Sequence, residues 1–321
     1  MCSWGIRRRR PTLEVHVPLS PTPAFLHMVH YLVRSLRLRG GRYRNAPIVL
    51  TVGAGQREPD LADRHPWLAA DGLEVRWVDE ALFARETWFA TAAERFRHDF
   101  ASDVVLMLDA DTLIAGPLDE LVDEAWRTGA LCGVVAHVPP VASRDQWEEI
   151  FRACGVGELR TPCEHTGWGY MFDDPSLRYC PPYFNLGVLA APAAVMRRIG
   201  AGIYPLMEAV DAVHRTPYRV QLAVGLTVVR EGLPFRALPF RWNFVNDPLL
   251  EALHADELGD VRIIHLLRNH QLYKSEVYAS LAAVEAMLAR TDLRVINRMA
   301  QRLLAELHPA VKAQAADSAS G

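Results

Sequence analysis

The chain has 321 residues, of which 50% are hydrophobic and 23% are charged, a composition typical of a soluble globular protein with a large buried core. Its formal net charge of −3 provides no basic excess for nucleic acid binding, and no segment approaches the roughly 20 apolar residues that cross a bilayer. The five cysteines lack the dense spacing of a secreted disulfide framework, so we expect a cytoplasmic protein.

Short apolar runs alternate with helical patterns through the first half of the chain. After a tail over residues 1–11, which we expect to be disordered, the patterns predict strands at 13–19, 46–53, 73–79, 104–108 and 131–138 and helices at 25–38 and 82–100. This alternation predicts an α/β domain with a mostly parallel central sheet flanked by helices.

The apolar run Val104–Leu108 leads directly to Asp109 and Asp111. A strand without polar alternation is typical of a sheet covered on both faces, and chemistry in such sheets gathers at strand ends. Residues two apart on an extended chain project to the same side, and a cation would neutralise two carboxylates held so close together. Oxygen ligands favour Mg²⁺ or Mn²⁺. Alternatively, an aspartate here makes a turn or caps the helix beginning near Leu118, which accounts for one acid better than for two.

The regular pattern breaks between Pro139 and Pro182, in a long segment rich in aromatic and turn-forming residues. Irregular segments of this length are usually functional loops or disordered chain, and the aromatic residues argue against disorder. We therefore expect residues 139–182 to form a functional loop.

Regularity returns after this loop. The patterns predict a strand at 183–192, helices at 193–214 and 218–229, a strand at 261–267 that includes His265, helices at 277–289 and 293–307, and a disordered tail at 308–321. No repeat or linker divides the region, so we expect one domain over residues 12–307. Taken alone, His265 fits a strand-end histidine hydrogen-bonded to the backbone better than a metal ligand.

Four segments, in their order along the chain, resemble the retaining glycosyltransferases of family 8. They are LDADT at 108–112, FNLGVL at 184–189, the helix that carries Gln221, and LPFRWN at 238–243 followed by IIHLL at 263–267. The likeness spans about Leu13 to Lys274, and the joint order of the motifs is stronger evidence than any single motif. It implies a GT-A fold, which is a Rossmann-like nucleotide-sugar-binding fold, and a glycosyltransferase that binds a nucleotide sugar through a metal.

The resemblance assigns Asp109, Asp111 and His265 as metal ligands. Imidazole beside carboxylates fits Mn²⁺ somewhat better than Mg²⁺. An ion held there would bridge the two phosphates of the donor and offset the charge that develops as the sugar leaves.

The resemblance also implies residues that contact the donor sugar. Asn185 matches a family asparagine beside the reaction centre, Gly187 leaves room for close approach, and Arg95 matches a family arginine. Gln221 matches the glutamine beside the anomeric carbon, although Val220 stands where the family has an acid. We therefore assign Gln221 and Asn185 as catalytic, and Asn185, Gly187 and Arg95 as donor-sugar contacts. The structural alternative for Asn185 and Gly187 is that they only end a run of strand hydrogen bonds, and for Arg95 and Gln221 that they lie on a solvated helix face.

The diphosphate end departs from the family pattern. The family places a glycine three residues and a lysine six residues after the metal-binding histidine, where this chain has Arg268 and Gln271. Arg268 or Lys274 would then supply the cation for the phosphates. The first strand lacks the acid usually found near the base, so a UDP-sugar is expected by analogy alone.

Trp242 and Asn243 look like a family pair on the acceptor side. The loop at 139–182 would also lie there, with Trp147 or Trp168 stacking on the acceptor sugar. A tryptophan packed in the core would look the same in the sequence.

Two other functions fit parts of the sequence. The string LDADTL also resembles the first motif of haloacid dehalogenase-type phosphatases, in which Asp109 would be the nucleophile, but no lysine lies between Asp111 and the next acidic cluster at Asp173 and Asp174. A GT-A protein that binds a nucleotide or sugar without catalysis would explain the departures at Val220 and after His265.

Overall fold

The computed structural model describes residues 9–136, 144–157, 163–164, 179–180, 182–267 and 271–320. The predictions for residues 1–8, Trp168 and Arg268 lie outside these ranges, as does most of the loop predicted at 139–182. The strands are β1 (Leu13–Leu19), β2 (Ile48–Val52), β3 (Leu73–Trp77), β4 (Val104–Leu108), β5 (Thr112–Ile114), β6 (Leu131–Val135), β7 (Cys163–Glu164), β8 (Tyr179–Cys180), β9 (Phe184–Pro192), β10 (Phe235–Ala237), β11 (Phe244–Val245) and β12 (Ile263–His265). The helices are α1 (Pro23–Arg39), α2 (Leu61–Arg64), α3 (Trp67–Ala70), α4 (Glu80–Glu86), α5 (Trp88–Glu94), α6 (Asp119–Thr128), α7 (Arg144–Ala153), α8 (Ala193–Val213), α9 (Arg219–Arg230), α10 (Pro248–Leu253), α11 (Lys274–Val277), α12 (Leu281–Leu288) and α13 (Val295–Ser320).

The central sheet has seven strands in the order β10-β6-β9-β4-β1-β2-β3. Strands β4, β1, β2 and β3 run parallel to one another, and β10 runs parallel to β6. Strand β9 is antiparallel to both of its neighbours, β4 and β6. The predicted α/β fold with a mostly parallel sheet is therefore confirmed.

Strand β4 lies in the middle of this sheet and is covered on both faces. Val104, Leu106 and Leu108 belong to the core cluster that includes residues of α1, α6 and α13, whereas Val105 and Met107 belong to the cluster that includes residues of α5, α8 and α9. All five side chains are fully buried, which explains why the run has no polar alternation.

A second, smaller sheet in the order β11-β12-β5 joins two distant parts of the chain. Strand β12 pairs antiparallel with β5, so His265 lies opposite Thr112. The pairing continues one step further, because the backbone N–H of Leu266 donates to the carbonyl of Asp111 at 2.9 Å. This register places the end of β12 beside the acidic pair that follows β4.

Two predicted helices have other bounds in the structure. The helix predicted at 82–100 ends at Glu94 and is divided into α4 and α5 at Thr87, whose φ of 57° is a left-handed value that β-branched residues rarely adopt. The helix predicted at 277–289 begins only at Leu281, as α12, where the Ser280 hydroxyl accepts from the Ala283 N–H at 3.1 Å and caps it.

The last helix runs through the segment 308–320 that the sequence predicts to be disordered. It continues because its inner face is packed: Val311 is fully buried, and Tyr31 shares a hydrogen bond of 2.5 Å with His308. His30 is likewise 2.6 Å from the side-chain oxygen of Gln314. Across the residues that the structure describes, no helix combines the length and apolarity needed to span a membrane.

Part of the predicted loop is helical. Helix α7 occupies residues 144–153, and its Trp147 is only 9% exposed within the core cluster that lies behind β9. Trp147 is therefore a core residue here, in agreement with the structural alternative stated for it above.

Candidate metal and donor site

Asp109, Asp111 and His265 converge at the edge of the central sheet. Each offers one ligand atom, and these three atoms lie within 4.8 Å of one another. His265 Nε2 is 3.1 Å from Asp111 Oδ1 and 4.0 Å from Asp109 Oδ2. Asp111 and His265 are buried, whereas the side chain of Asp109 keeps 31% of its surface exposed and gives the cluster its access to solvent.

The Asp111 carboxyl is held as an anion. Burial alone would raise its pKa, but the facing imidazole of His265 and the ammonium of Lys274, which contacts Asp111 Oδ2, together lower that pKa below its ordinary value. A buried carboxylate that is ionised and faces a small group of ligand atoms is the state that a metal ligand requires.

The imidazole of His265 is oriented as a ligand. Its Nδ1 lies 2.8 Å from Asn243 Oδ1, and an amide oxygen can only accept a hydrogen bond. Its Nε2 is buried 3.1 Å from Asp111 Oδ1 and has no hydrogen-bond partner among the described residues. A buried nitrogen lone pair facing two carboxylates fits a divalent ion with mixed nitrogen and oxygen ligands, such as Mn²⁺.

Arg95 forms hydrogen bonds to both strands that border the site, β4 and β9. Its guanidinium is 1% exposed and donates to the carbonyls of Leu108 and Leu186, each at 3.1 Å, and to Asp109 Oδ1 at 3.0 Å. The structure thus places Arg95 at the predicted site, with its charge directed at Asp109. The predicted contact with the donor sugar stays a prediction.

Asn185 and Gly187 lie next to the metal-ligand group. Asn185 Oδ1 accepts from the Gly187 N–H at 2.8 Å and from Asn243 Nδ2 at 3.0 Å. The carbonyl of Gly187 accepts from the Asp109 N–H at 3.0 Å. A Cβ at position 187 would lie 2.2 Å from His265 Cε1, so the room that the sequence predicts beside this glycine is taken by the imidazole.

The candidate phosphate-binding residues are only partly described. Lys274 begins α11 and contacts Asp111, which brings its ammonium to the metal-ligand group, while Arg268 lies outside the described ranges. Gln271 turns away from the site, because its side-chain oxygen accepts from the Arg294 N–H at 2.8 Å and from Asn297 Nδ2 at 3.2 Å.

Gln221 lies in the first turn of α9 and is half-buried. It is four residues before Gly225, whose position packs so tightly on the start of β9 that a Cβ would meet the Pro182 carbonyl at 2.1 Å. Residues four apart share a helix face, so Gln221 is on the side of α9 that faces the strand carrying Asn185. The structure shows no hydrogen bond from Gln221 to another described residue, and its catalytic role stays a prediction.

Asn243 is the site residue whose position the sequence did not reveal. The motif comparison placed it on the acceptor side, whereas the structure places it between His265 and Asn185. Asn243 immediately precedes β11, whose Val245 pairs with His265 in parallel register, and this pairing brings Asn243 to the imidazole.

Comparisons with known proteins support the fold. No family model and no curated protein matches the chain. Among solved structures, the galactosyltransferase LgtC in complex with donor and acceptor sugar analogues is 17% identical, with 88% of this chain and 98% of that chain covered and a TM-score of 0.52. An active-site mutant of LgtC gives 16% identity, coverage of 86% and 96%, and a TM-score of 0.53. The apo form of the bifunctional glycosyltransferase WbbM gives 13% identity, coverage of 89% and 51%, and a TM-score of 0.50.

These similarities extend over most of this chain at low sequence identity, so they bear on its architecture. With the strand order and the position of the acidic pair, they confirm the predicted fold: the chain has the GT-A fold seen in these glycosyltransferases.

Proposed function

We propose that the protein is a metal-dependent glycosyltransferase that moves a sugar from a nucleotide-sugar donor, expected to be a UDP-sugar, to a hydroxyl acceptor. The observation that carries the proposal is the convergence of Asp109, Asp111 and the unpartnered Nε2 of His265 at one edge of a GT-A sheet. Support also comes from a structural neighbour, LgtC, which was solved with donor and acceptor sugar analogues. The resemblance to family 8 implies that the anomeric configuration is retained.

Asp109, Asp111 and His265 would hold the ion. Bound there, Mn²⁺ or Mg²⁺ would supply Lewis-acid stabilisation of the diphosphate leaving group. Arg95 contributes by keeping Asp109 in place through a buried charged hydrogen bond, which fixes one carboxylate while leaving part of it exposed.

Lys274 would bind the diphosphate. Its side chain is 33% exposed and its ammonium lies at Asp111, beside the group that would hold the ion, so it is accessible to a phosphate bound there. Arg268, outside the described ranges, is proposed for the same role on sequence grounds alone.

Asn185 and Gln221 would position the sugar, and Gly187 would contribute by donating its N–H to Asn185 Oδ1. The oxygen of Asn185 is occupied by two N–H donors, which leaves its own amide N–H groups to donate to sugar hydroxyls. Gln221 would lie beside the anomeric carbon, as the family resemblance implies. The acceptor would bind beside the chain segment 139–182, and the cytoplasmic location stays a prediction.

The two alternatives are less well supported. The phosphatase hypothesis requires Asp109 to be a free nucleophile, but Arg95 holds one of its oxygens, and the solved structures compared above are glycosyltransferases. The hypothesis of an inactive binding protein rests on Val220 and on the missing family glycine and lysine after His265. The contact of Lys274 with Asp111 supplies a cation at the site by another route and removes one of these three grounds.

A donor screen tests the proposal. Thermal unfolding is measured with a panel of nucleotide-diphosphate sugars, each with Mn²⁺ and with a chelator, because a ligand that binds only the native state raises its stability by mass action. We expect stabilisation by at least one donor in the presence of Mn²⁺ only, followed by release of the nucleoside diphosphate on incubation. Metal-dependent binding with no transfer or hydrolysis for any donor would favour the inactive protein instead.

A further inference from the structure

Asn243 links the metal-ligand histidine to the asparagine of the predicted donor-sugar site. It is 1% exposed, and its two side-chain polar atoms have separate partners. Its Oδ1 is 2.8 Å from His265 Nδ1, and its Nδ2 donates to Asn185 Oδ1 at 3.0 Å. The contacts thus form a continuous chain of side-chain hydrogen bonds from Asn185 to His265.

The direction of every bond in this chain follows from one backbone group. The Gly187 N–H can only donate, so the Asn185 atom that it meets at 2.8 Å must be the oxygen. That oxygen can only accept, so Asn243 must present its NH₂ to Asn185 and its oxygen to His265. An oxygen facing His265 Nδ1 requires that Nδ1 carry the proton.

The proton on Nδ1 determines what the other ring nitrogen can do. A neutral imidazole carries one N–H, so Nε2 has a free lone pair. Nε2 is the atom that lies 3.1 Å from Asp111 and 4.0 Å from Asp109 and that lacks a hydrogen-bond partner. A partner on the distal nitrogen commonly fixes the tautomer and ring orientation of a metal-binding histidine.

Asn243 is held rigidly enough to impose this state. It follows the buried Trp242, its backbone N–H donates to the Phe240 carbonyl at 2.8 Å, and it leads directly into β11, which pairs with the strand that ends at His265. Its side chain is therefore fixed relative to the imidazole by the backbone on both sides.

We infer that Asn243 is a positioning residue with two effects: it holds His265 as the Nδ1–H tautomer with Nε2 directed at the metal ligands, and it orients Asn185 so that the amide N–H groups of Asn185 remain for the donor sugar. The inference rests on the proposed function for the identity of the metal and the sugar. The tautomer itself is a property of the chain alone.

Two substitutions separate the two effects. Asn243→Asp is isosteric and keeps an acceptor for His265 Nδ1, but it removes the donor to Asn185. Asn243→Ala removes both. We expect Asn243→Ala to weaken Mn²⁺ binding by about 10- to 100-fold, the range typical of lost partners behind a metal ligand. We expect Asn243→Asp to keep Mn²⁺ affinity within about threefold and to lower the affinity for the UDP-sugar relative to UDP by about three- to tenfold, the effect of one hydrogen bond.

Nitrogen-15 NMR of the histidine side chains in the metal-free protein reads the tautomer directly. The His265 signals are assigned by their absence from a His265→Gln variant. We expect a protonated Nδ1 in the wild type and in Asn243→Asp, whether or not Nε2 also carries a proton in the metal-free protein, and loss of this fixed Nδ1 proton in Asn243→Ala. A neutral Nε2–H form in the wild type, or an unchanged tautomer together with unchanged Mn²⁺ affinity in Asn243→Ala, would overturn the inference.

The design keeps this inference apart from the proposed function. If the wild type binds no Mn²⁺, the proposed function fails, while the NMR comparison still decides whether Asn243 sets the tautomer. If Asn243→Ala does not fold, Asn243→Asp decides instead: a neutral Nε2–H form of His265, or an unchanged ratio of UDP-sugar to UDP affinity, would contradict the inference.

Discussion

Gly187 lies directly against the imidazole of His265, so that a Cβ at position 187 would come within 2.2 Å of Cε1 and 2.5 Å of Nδ1. The strand that carries Asn185 and the strand that ends at His265 can meet only because this residue has no side chain. This close contact makes the FNLG segment and the distant IIH segment depend on each other for their positions.

Gly187→Ala is therefore expected to displace the imidazole and weaken Mn²⁺ binding by about tenfold or more, in line with the loss of orientation behind a metal ligand. Isothermal titration of Mn²⁺ measures it. Gly259→Ala is the matched control, because the structure places no atom within 4 Å of the added Cβ there. Equal Mn²⁺ affinities in the two variants would contradict the packing argument.

Arg95→Met is expected to destabilise the protein. It removes the buried donors of two carbonyls and of Asp109, at a cost of about 2–4 kcal/mol in the free energy of unfolding. Urea denaturation measures this change. Arg97→Met is the control, because Arg97 is 45% exposed and its contacts with Glu94 and with the Tyr204 ring are together worth only about 1 kcal/mol. A similar small loss in both variants would show that Arg95 does not clamp the strand ends.

Lys274→Met is expected to change metal and nucleotide binding in opposite directions. The Lys274 ammonium contacts Asp111, so its removal frees the carboxylate and raises the affinity for Mn²⁺ alone by several-fold, roughly the effect of one charged hydrogen bond. The same change removes the proposed phosphate contact and weakens UDP binding in the presence of Mn²⁺ by about tenfold. Lys312→Met, at the only other lysine, is the control. If Lys274→Met loses affinity for both Mn²⁺ and UDP, or for neither, the proposed role of Lys274 would be disproved.

His30 is expected to make stability depend on pH. Burial, outweighing the hydrogen bond to Gln314 and the charge of Asp71, lowers its pKa to about 4. An unfolded histidine titrates near pH 6.5, so the unfolded state binds more protons between about pH 6.5 and 4. The contribution of His30 to the free energy of unfolding is therefore at its maximum above about pH 6.5. It decreases as the pH is lowered from about 6.5 to 4, by at most about 1.4 kcal/mol per pH unit.

Urea denaturation of wild type and His30→Gln at several pH values checks this effect. The variant should show a shallower fall in stability between pH 6.5 and 4, because it lacks the titrating group that stacks on Trp67. An identical slope in the two proteins would show that His30 does not contribute.

The sequence was sufficient for the fold because its central strands are marked by continuous apolar runs. Val104–Leu108 is buried on both faces, as the unbroken apolar run predicts, and the acidic pair follows at the sheet edge. The convergence with His265 was expected from the motif order, and the structure brings the three ligand atoms within 4.8 Å of one another.

The remaining features depend on contacts between distant segments that local patterns do not encode. Strand β11 has only two residues, too few for any periodicity, so the position of Asn243 behind His265 is determined by pairing with β12. The last helix continues past Leu307 because Val311 and His308 pack on α1, a contact across the whole length of the chain. Gln271 is directed to the start of α13 for the same kind of reason.

The central claim is that Asp111, with Asp109 and His265, binds the ion through which the donor is held. Calorimetric titration of the UDP-sugar found in the donor screen, into wild type and Asp111→Asn, with Mn²⁺ and with chelator, tests it most directly. We predict Mn²⁺-dependent binding to the wild type and none to the variant, with the same far-ultraviolet circular dichroism for both. A folded Asp111→Asn protein that binds the donor with unchanged, metal-dependent affinity would contradict the claim.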